Sequence, residues 1–185
     1  MGHLKLYMMI LGCKPQGRHT EQHDVFFTVA TSMKETVPAI TGFWPEASGK
    51  LHVDAWREVT EVDGFKIEIT EKKEQEKDAL KLFFINLGGY KKGEFDELHY
   101  KMLVVAANLA NATQKAKQTA FYQHTGFSGA VSHIDDKYGV DVDDAVEILE
   151  ILPREIKEKY SLQITQQKDL PNDEINLGYF PLNKI

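Results

Sequence analysis

The chain has 185 residues, 42% of them hydrophobic and 10% aromatic, enough for one large or two small packed domains. A formal net charge of −6 opposes a general binder of nucleic acid or of an anionic membrane, since either role needs a basic face that displaces counterions from phosphate. One cysteine allows no internal disulfide, and no apolar run reaches the length that crosses a bilayer, so the composition points to a cytoplasmic protein without a membrane partner.

The first predicted element is "KLYMMIL", apolar throughout, as a strand covered on both faces is. Its continuation "ILGC" resembles a lipoprotein lipobox. The same pattern returns as "LKLFFINLGG" at residues 80–89, where no export signal can lie, so both copies read as buried strands. The segment "LGCKPQGRHTEQHD" at 11–24 is a polar turn dense in ionisable groups. "HDVFFTVA" is rich in β-branched and aromatic residues and reads as a strand in preference to a long helix over 22–40. Ser32 followed by Glu35 is a capping-box pattern that starts a helix over about 33–41, with Pro38 awkwardly late in it. "LHVDAWREV" and "FKIEI" then alternate in polarity, joined by a tight hairpin at "VDG".

A shift of 76 positions places Leu4, Lys5, Leu6, Leu11, Gly12, Gly17, Glu21, His23, Val29 and Ala30 on identical residues. Further on, "LHVD" at 51–54 meets "SHID" at 132–135, and "VDGFKIEI" meets "VDDAVEILEI". The expectation is therefore an α+β protein built by tandem duplication of a small strand-strand-helix-strand-strand unit with mainly antiparallel sheet. Residues 1–70 form the first unit, 71–79 a charged connector, 80–152 the second unit, and 153–185 a C-terminal extension whose apolar end docks on the fold. In the second unit Asn108 supplies the helix cap, and "YQHTGFSGAVSHIDDKYG" reads as a mobile glycine-bearing loop. The paired glycines Gly12 and Gly88, and Gly17 and Gly93, read as turn positions with positive φ. A two-fold pseudo-symmetric body makes a homodimer an expected assembly.

Residues i and i+2 of a strand share a face, which aligns Glu21 with His23 and His52 with Asp54. Their second-unit counterparts are Glu97, His99, His133 and Asp135. Neutral imidazole and carboxylate oxygen together suit a divalent transition metal such as Zn, Fe or Mn. The plainer reading has each histidine fix a loop through a backbone carbonyl, and no tight ligand motif of the H-E-x-x-H kind is present. Lys14, Arg18, Trp56 and Arg57, confined to the first unit, form a second candidate set, suited to a small polar or anionic ligand. Cys13 is replaced by Gly89 in the second unit and so lies outside any duplicated mechanism.

The stretches "LGCKPQGRHTEQHDVFF", "FWPEASGKLHVDAWREV" with "VDGFKIEI", and "LFFINLGGYKKGEFDELHYKMLVVA" resemble the bacterial family DUF1543, a short domain of unknown function found in one or two copies. The resemblance runs to about Leu152 and implies a bacterial, cytosolic, two-copy protein; it carries no catalytic residues with it. Two functions follow from the residues. The favoured one is a non-enzymatic ligand-binding or interaction module, and the alternative is a metal-dependent hydrolase or oxygenase that uses the Glu/His/His/Asp cluster.

Overall fold

The computed structural model describes residues 3–47, 49–73, 79–90, 93, 95–119 and 140–185. It is a mixed α+β structure with antiparallel sheets. In chain order the strands are β1 (Lys5–Cys13), β2 (Gln22–Ala30), β3 (His52–Glu58), β4 (Glu61–Val62), β5 (Phe65–Glu71), β6 (Lys81–Tyr90), β7 (Glu97–Ala106), β8 (Val140–Glu147), β9 (Tyr160–Gln166) and β10 (Asn176–Pro181). The helices are α1 (Val37–Phe43), α2 (Leu109–Ala116), α3 (Ile148–Ile151) and α4 (Arg154–Lys159). The chain divides into two compact units, one of residues 1–73 with 152–185 and the other of residues 74–151.

In the first unit β1 lies between β2 and β3, and β10 completes the sheet on the outer edge of β3. Alternate residues of β1, Tyr7, Met9, Leu11 and Cys13, bury one face against Phe26, Val53, Leu51 and Ile40 of α1. Each fully buried side chain of this size contributes roughly 1.5–3 kcal/mol, so this face is the main source of the unit's stability. The Asp63–Gly64 turn between β4 and β5 has φ of 56° and 79°, the double positive of the turn that suits a right-twisted hairpin, as "VDG" predicts. β9 then pairs along β5 with Glu68 opposite Gln163.

Two local expectations need correction. Ser32 makes no side-chain cap, and Glu35 reaches one residue further back, to the Thr31 amide at 3.0 Å and the Thr31 hydroxyl at 2.6 Å. The helix itself begins as a 3-10 turn over Met33–Thr36 and becomes α-helical only at Val37. Pro38 therefore stands in the first turn of α1, where its missing N–H has no partner to lose, and not late in a longer helix.

In the second unit β6 lies between β7 and β8. Phe83, Ile85 and Leu87 pack with Val104, Ala112 and Ala116, and Asn108 caps α2 by accepting from the Asn111 amide at 2.9 Å. The segment expected to match "FKIEI" is not a strand here: β8 spans Val140–Glu147 and α3 follows it directly. Ile148 and Leu152 are both buried at i, i+4 spacing, a helical period, and Pro153 ends the run. The core of the charged connector (74–78) and the glycine-bearing loop around His133 and Asp135 lie outside the described residues.

Candidate metal centre

The central strand of each unit carries a glycine where its neighbours carry the ionisable groups. Gly12 of β1 pairs with His23 of β2 on one side and with His52 of β3 on the other. Both imidazoles therefore flank a position without a side chain. A shift in register between Ile10 and Leu11 marks a bulge in β3 that keeps Asp54 beside His52. Glu21, just ahead of β2, shares the face of His23.

The result is a closed ring of four groups. His52 Nε2 lies 3.0 Å from Glu21 Oε1 and 3.2 Å from Asp54 Oδ1. His23 Nε2 lies 3.2 Å from Asp54 Oδ2 and 3.8 Å from Glu21 Oε2. Each carboxylate thus presents one oxygen to each imidazole. A single N–H can point at only one acceptor, and Asp54 Oδ2, although buried, has no hydrogen-bond partner. The His52 side chain is only 6% exposed, while those of His23 and Glu21 are 46% and 43% exposed, so one side of the ring is dry and the other faces water. The Tyr179 ring roofs His52 at a centroid distance of 4.4 Å and a tilt of 40°. It is brought there by an irregularity in β10 between Leu177 and Phe180, where Gly178 has φ of 153°.

Gly12 is thus required by space and not by a turn. A Cβ there would collide with Asp54 Oδ2 and His52 Nε2. The positive-φ expectation holds for Gly17 and Gly93, at 80° and 87°, but not for Gly12 or Gly88, which lie inside strands.

In the second unit Gly88 pairs with His99 of β7 and Asp141 of β8. His99 Nε2 lies 3.2 Å from Asp143 Oδ2 and 3.9 Å from Glu97 Oε2. Donor atoms of Glu97, His99 and Asp143 all fall within 4.8 Å of one another. A Cβ on Gly88 would strike the Asp143 carboxylate. The register corrects the alignment of "LHVD" with "SHID": Asp141 stands across from Gly88 where His52 stands across from Gly12, and Asp143 takes the place of Asp54. The signal for this was present as "VDVDD", read as the wrong strand.

The second candidate set is not assembled. Trp56 pairs with Met9 of β1, five residues before Lys14, a separation of about 17 Å along an antiparallel strand. Lys14 and Arg18 are exposed on the polar turn, where the Arg18 amide donates to the Pro15 carbonyl at 3.3 Å. Trp56 and Arg57, as neighbours in a strand, face opposite sides. Trp56 packs near Tyr7 and lines a cavity of about 260 Å³ with Glu58, Asp173 and Glu174, whose carboxylates oppose an anion. Arg57 instead approaches Asp173 Oδ2 at 3.8 Å and Met8 Sδ at 3.6 Å.

Cys13 is fully buried in the first-unit core with its thiol 3.8 Å from the Ala47 carbonyl, and burial pushes its pKa up. Such a thiol is a packing group. In native protein Cys13 is expected to react with iodoacetamide at a small fraction of the rate seen in urea; equal rates would show that the β1 end opens freely.

No helix among the described residues is long and apolar enough to cross a membrane. The chain matches no protein of curated function. Its fold resembles the crystal structure of protein Il1583 from Idiomarina loihiensis, with a TM-score of 0.65, 24% identity and 97% of each chain covered. Residues 18–69, which hold Glu21, His23, His52 and Asp54, match the Domain of Unknown Function DUF1543. This segment of the first unit is therefore similar to the DUF1543 domain.

Proposed function

We propose that the protein is a metal-binding module whose first unit holds a divalent transition ion between His23, His52, Glu21 and Asp54. The observation that carries this reading is the ring of approaches at 3.0, 3.2, 3.2 and 3.8 Å around the bare Gly12. A tetrahedral ion with bonds of about 2.1 Å sets its donors about 3.4 Å apart, close to these four approaches, which use both oxygens of each carboxylate. Two imidazoles with two carboxylates favour Zn or Fe(II) over Mg or Ca. Asp54 Oδ2, buried and without a hydrogen bond although His23 Nε2 stands 3.2 Å away, supports the same reading, since a cation is a favourable partner for a carboxylate oxygen withdrawn from water. We further infer that the like placement of Gly12 and Gly88 in the two sheets reflects a tandem duplication.

A metal-dependent hydrolase or oxygenase is the second reading. It is favoured by the exposure of His23 and Glu21, which leaves the solvent side open to a metal-bound water.

The test is metal content. Protein purified without chelator or affinity tag should carry, or take up on titration, about one equivalent of Zn or Fe at this site, and a His23→Ala/His52→Ala variant should lose it while keeping its circular dichroism. Metal at 100 times its Kd should stabilise the parent by about 2.7 kcal/mol. A variant that melts earlier, with a parent that never binds metal, would make the ring a loop-fixing hydrogen-bond cluster. Hydrolysis of simple esters or phosphoesters by the loaded parent but not by the variant would move the second reading to first place.

A further inference from the structure

We infer that the second unit holds a separate cation site, made by Glu97, His99 and Asp143, that prefers a harder divalent ion such as Mn(II) than the first unit does. This deepens the metal-binding reading and rests on it.

Three observations carry the inference. The donor atoms of these residues converge within 4.8 Å, with His99 Nε2 at 3.2 Å from Asp143 Oδ2. The convergence needs Gly88, because a Cβ at that position would occupy the space of the Asp143 carboxylate. The same arrangement, a glycine in the central strand with a histidine opposite it, surrounds Gly12.

What differs is the donor chemistry. The position across from the glycine is histidine in β3 and aspartate in β8, so among the described residues the first unit offers two imidazoles at this place and the second one. Tyr90 pairs with Glu97 at the next turn of the ladder, where the shift of 76 places Lys14 beside Glu21. The Tyr90 phenol hydrogen-bonds the Glu97 carboxylate. The sequence position held by a lysine in one unit is thus held by a neutral phenol in the other. Imidazole nitrogen favours Zn and Fe(II), whereas carboxylate and other oxygen donors shift the preference toward Mn(II). Zn still binds more tightly than Mn(II) at either site by the general order of divalent affinities, so the distinguishing quantity is the ratio of the two.

The experiment titrates the full chain with Zn and with Mn(II), by calorimetry and by the electron paramagnetic resonance of bound Mn(II). Three proteins are compared: the parent, the His23→Ala/His52→Ala variant, and a His99→Gln variant. The parent should take two equivalents of metal. The double variant should keep one equivalent, with a Zn-to-Mn affinity ratio at least about tenfold below that of the site retained in His99→Gln. Glu97→Gln, an isosteric change, should reproduce the loss seen in His99→Gln if either variant is compromised in folding. A parent that takes one equivalent of Zn, unchanged by His99→Gln and by Glu97→Gln, would overturn the second site and leave the first intact. Equal ratios at two occupied sites would overturn the difference in hardness alone. A parent that binds neither ion would remove both readings.

Discussion

Gly12→Ala is expected to abolish metal binding at the first unit although it leaves every ligand in place. The methyl group would enter the space of Asp54 Oδ2 and His52 Nε2. His52 cannot retreat, since its side chain is 6% exposed and lies under the Tyr179 ring. Asp54 is held by the β3 bulge. Overpacking of this kind costs roughly 1–3 kcal/mol, and for a chain of this length each kcal/mol lowers the melting temperature by roughly 2–4 °C. The informative comparison is Gly42→Ala in α1, where a Cβ meets nothing within 4 Å. There the change should stabilise the helix by about 0.5–1 kcal/mol and leave metal binding alone. Thermal melts paired with a Zn titration of both variants decide the matter. If Gly12→Ala binds Zn as the parent does, the ring does not form around that position and the proposed centre is wrong.

This variant also tests something that composition does not show. Shifting the chain by 76 residues reveals that Gly12 and His23 recur together as Gly88 and His99, yet the natural inference from a repeated glycine is a turn. Only the ladder shows that both glycines lie within strands and that the missing Cβ is filled by side chains from two neighbours. The elements themselves were largely legible. β1, β2 and the β4–β5 hairpin announce themselves through apolar runs, β-branched content and a turn that requires positive φ.

The later strands of the second unit were not legible, because a four-residue match such as "LHVD" with "SHID" contains too little information to fix a register. The strand across from Gly88 begins eight residues further on than that match implies, at "VDVDD". The strand that pairs along β5 is "YSLQIT" in β9, which lies beyond Pro153 and belongs to the first unit. Tyr179 and Asp173 were missed for a different reason. Both lie in a tail without a sustained period, and their roles exist only through contacts with residues more than a hundred positions away.

Asp173 supports the largest expected effect on stability. Its Oδ1 accepts from the Thr60 amide at 3.0 Å, the Thr60 hydroxyl at 2.7 Å and the Glu61 amide at 3.2 Å, while Arg57 stands 3.8 Å from Oδ2. The side chain is 1% exposed. Thr60 is exposed, so water can take up its two donors in Asp173→Ala, but the part-buried Glu61 amide loses its acceptor and Arg57 its countercharge. Hydrogen bonds to charged groups contribute about 1.5–3 kcal/mol each and are not additive, and with two of the donors exposed the expected loss is roughly 2–3 kcal/mol. The loss should also be local. Asp173 lies three positions before the start of β10, and β10 is an edge strand joined to the sheet through β3 alone. Freed of this anchor, residues 176–181 should exchange their amide hydrogens faster than β1 or β2. With them Tyr179 should leave His52, raising the solvent access of the imidazole and its rate of modification by diethyl pyrocarbonate. A variant that melts earlier as a whole, with β10 still as protected as β1, would mean that the tail is held by its strand pairing and that Asp173 merely caps the bend at Thr60. Enhanced exchange confined to β10, with Zn affinity reduced in step, would identify the C-terminal strand as the wall that keeps the dry side of the proposed metal centre dry.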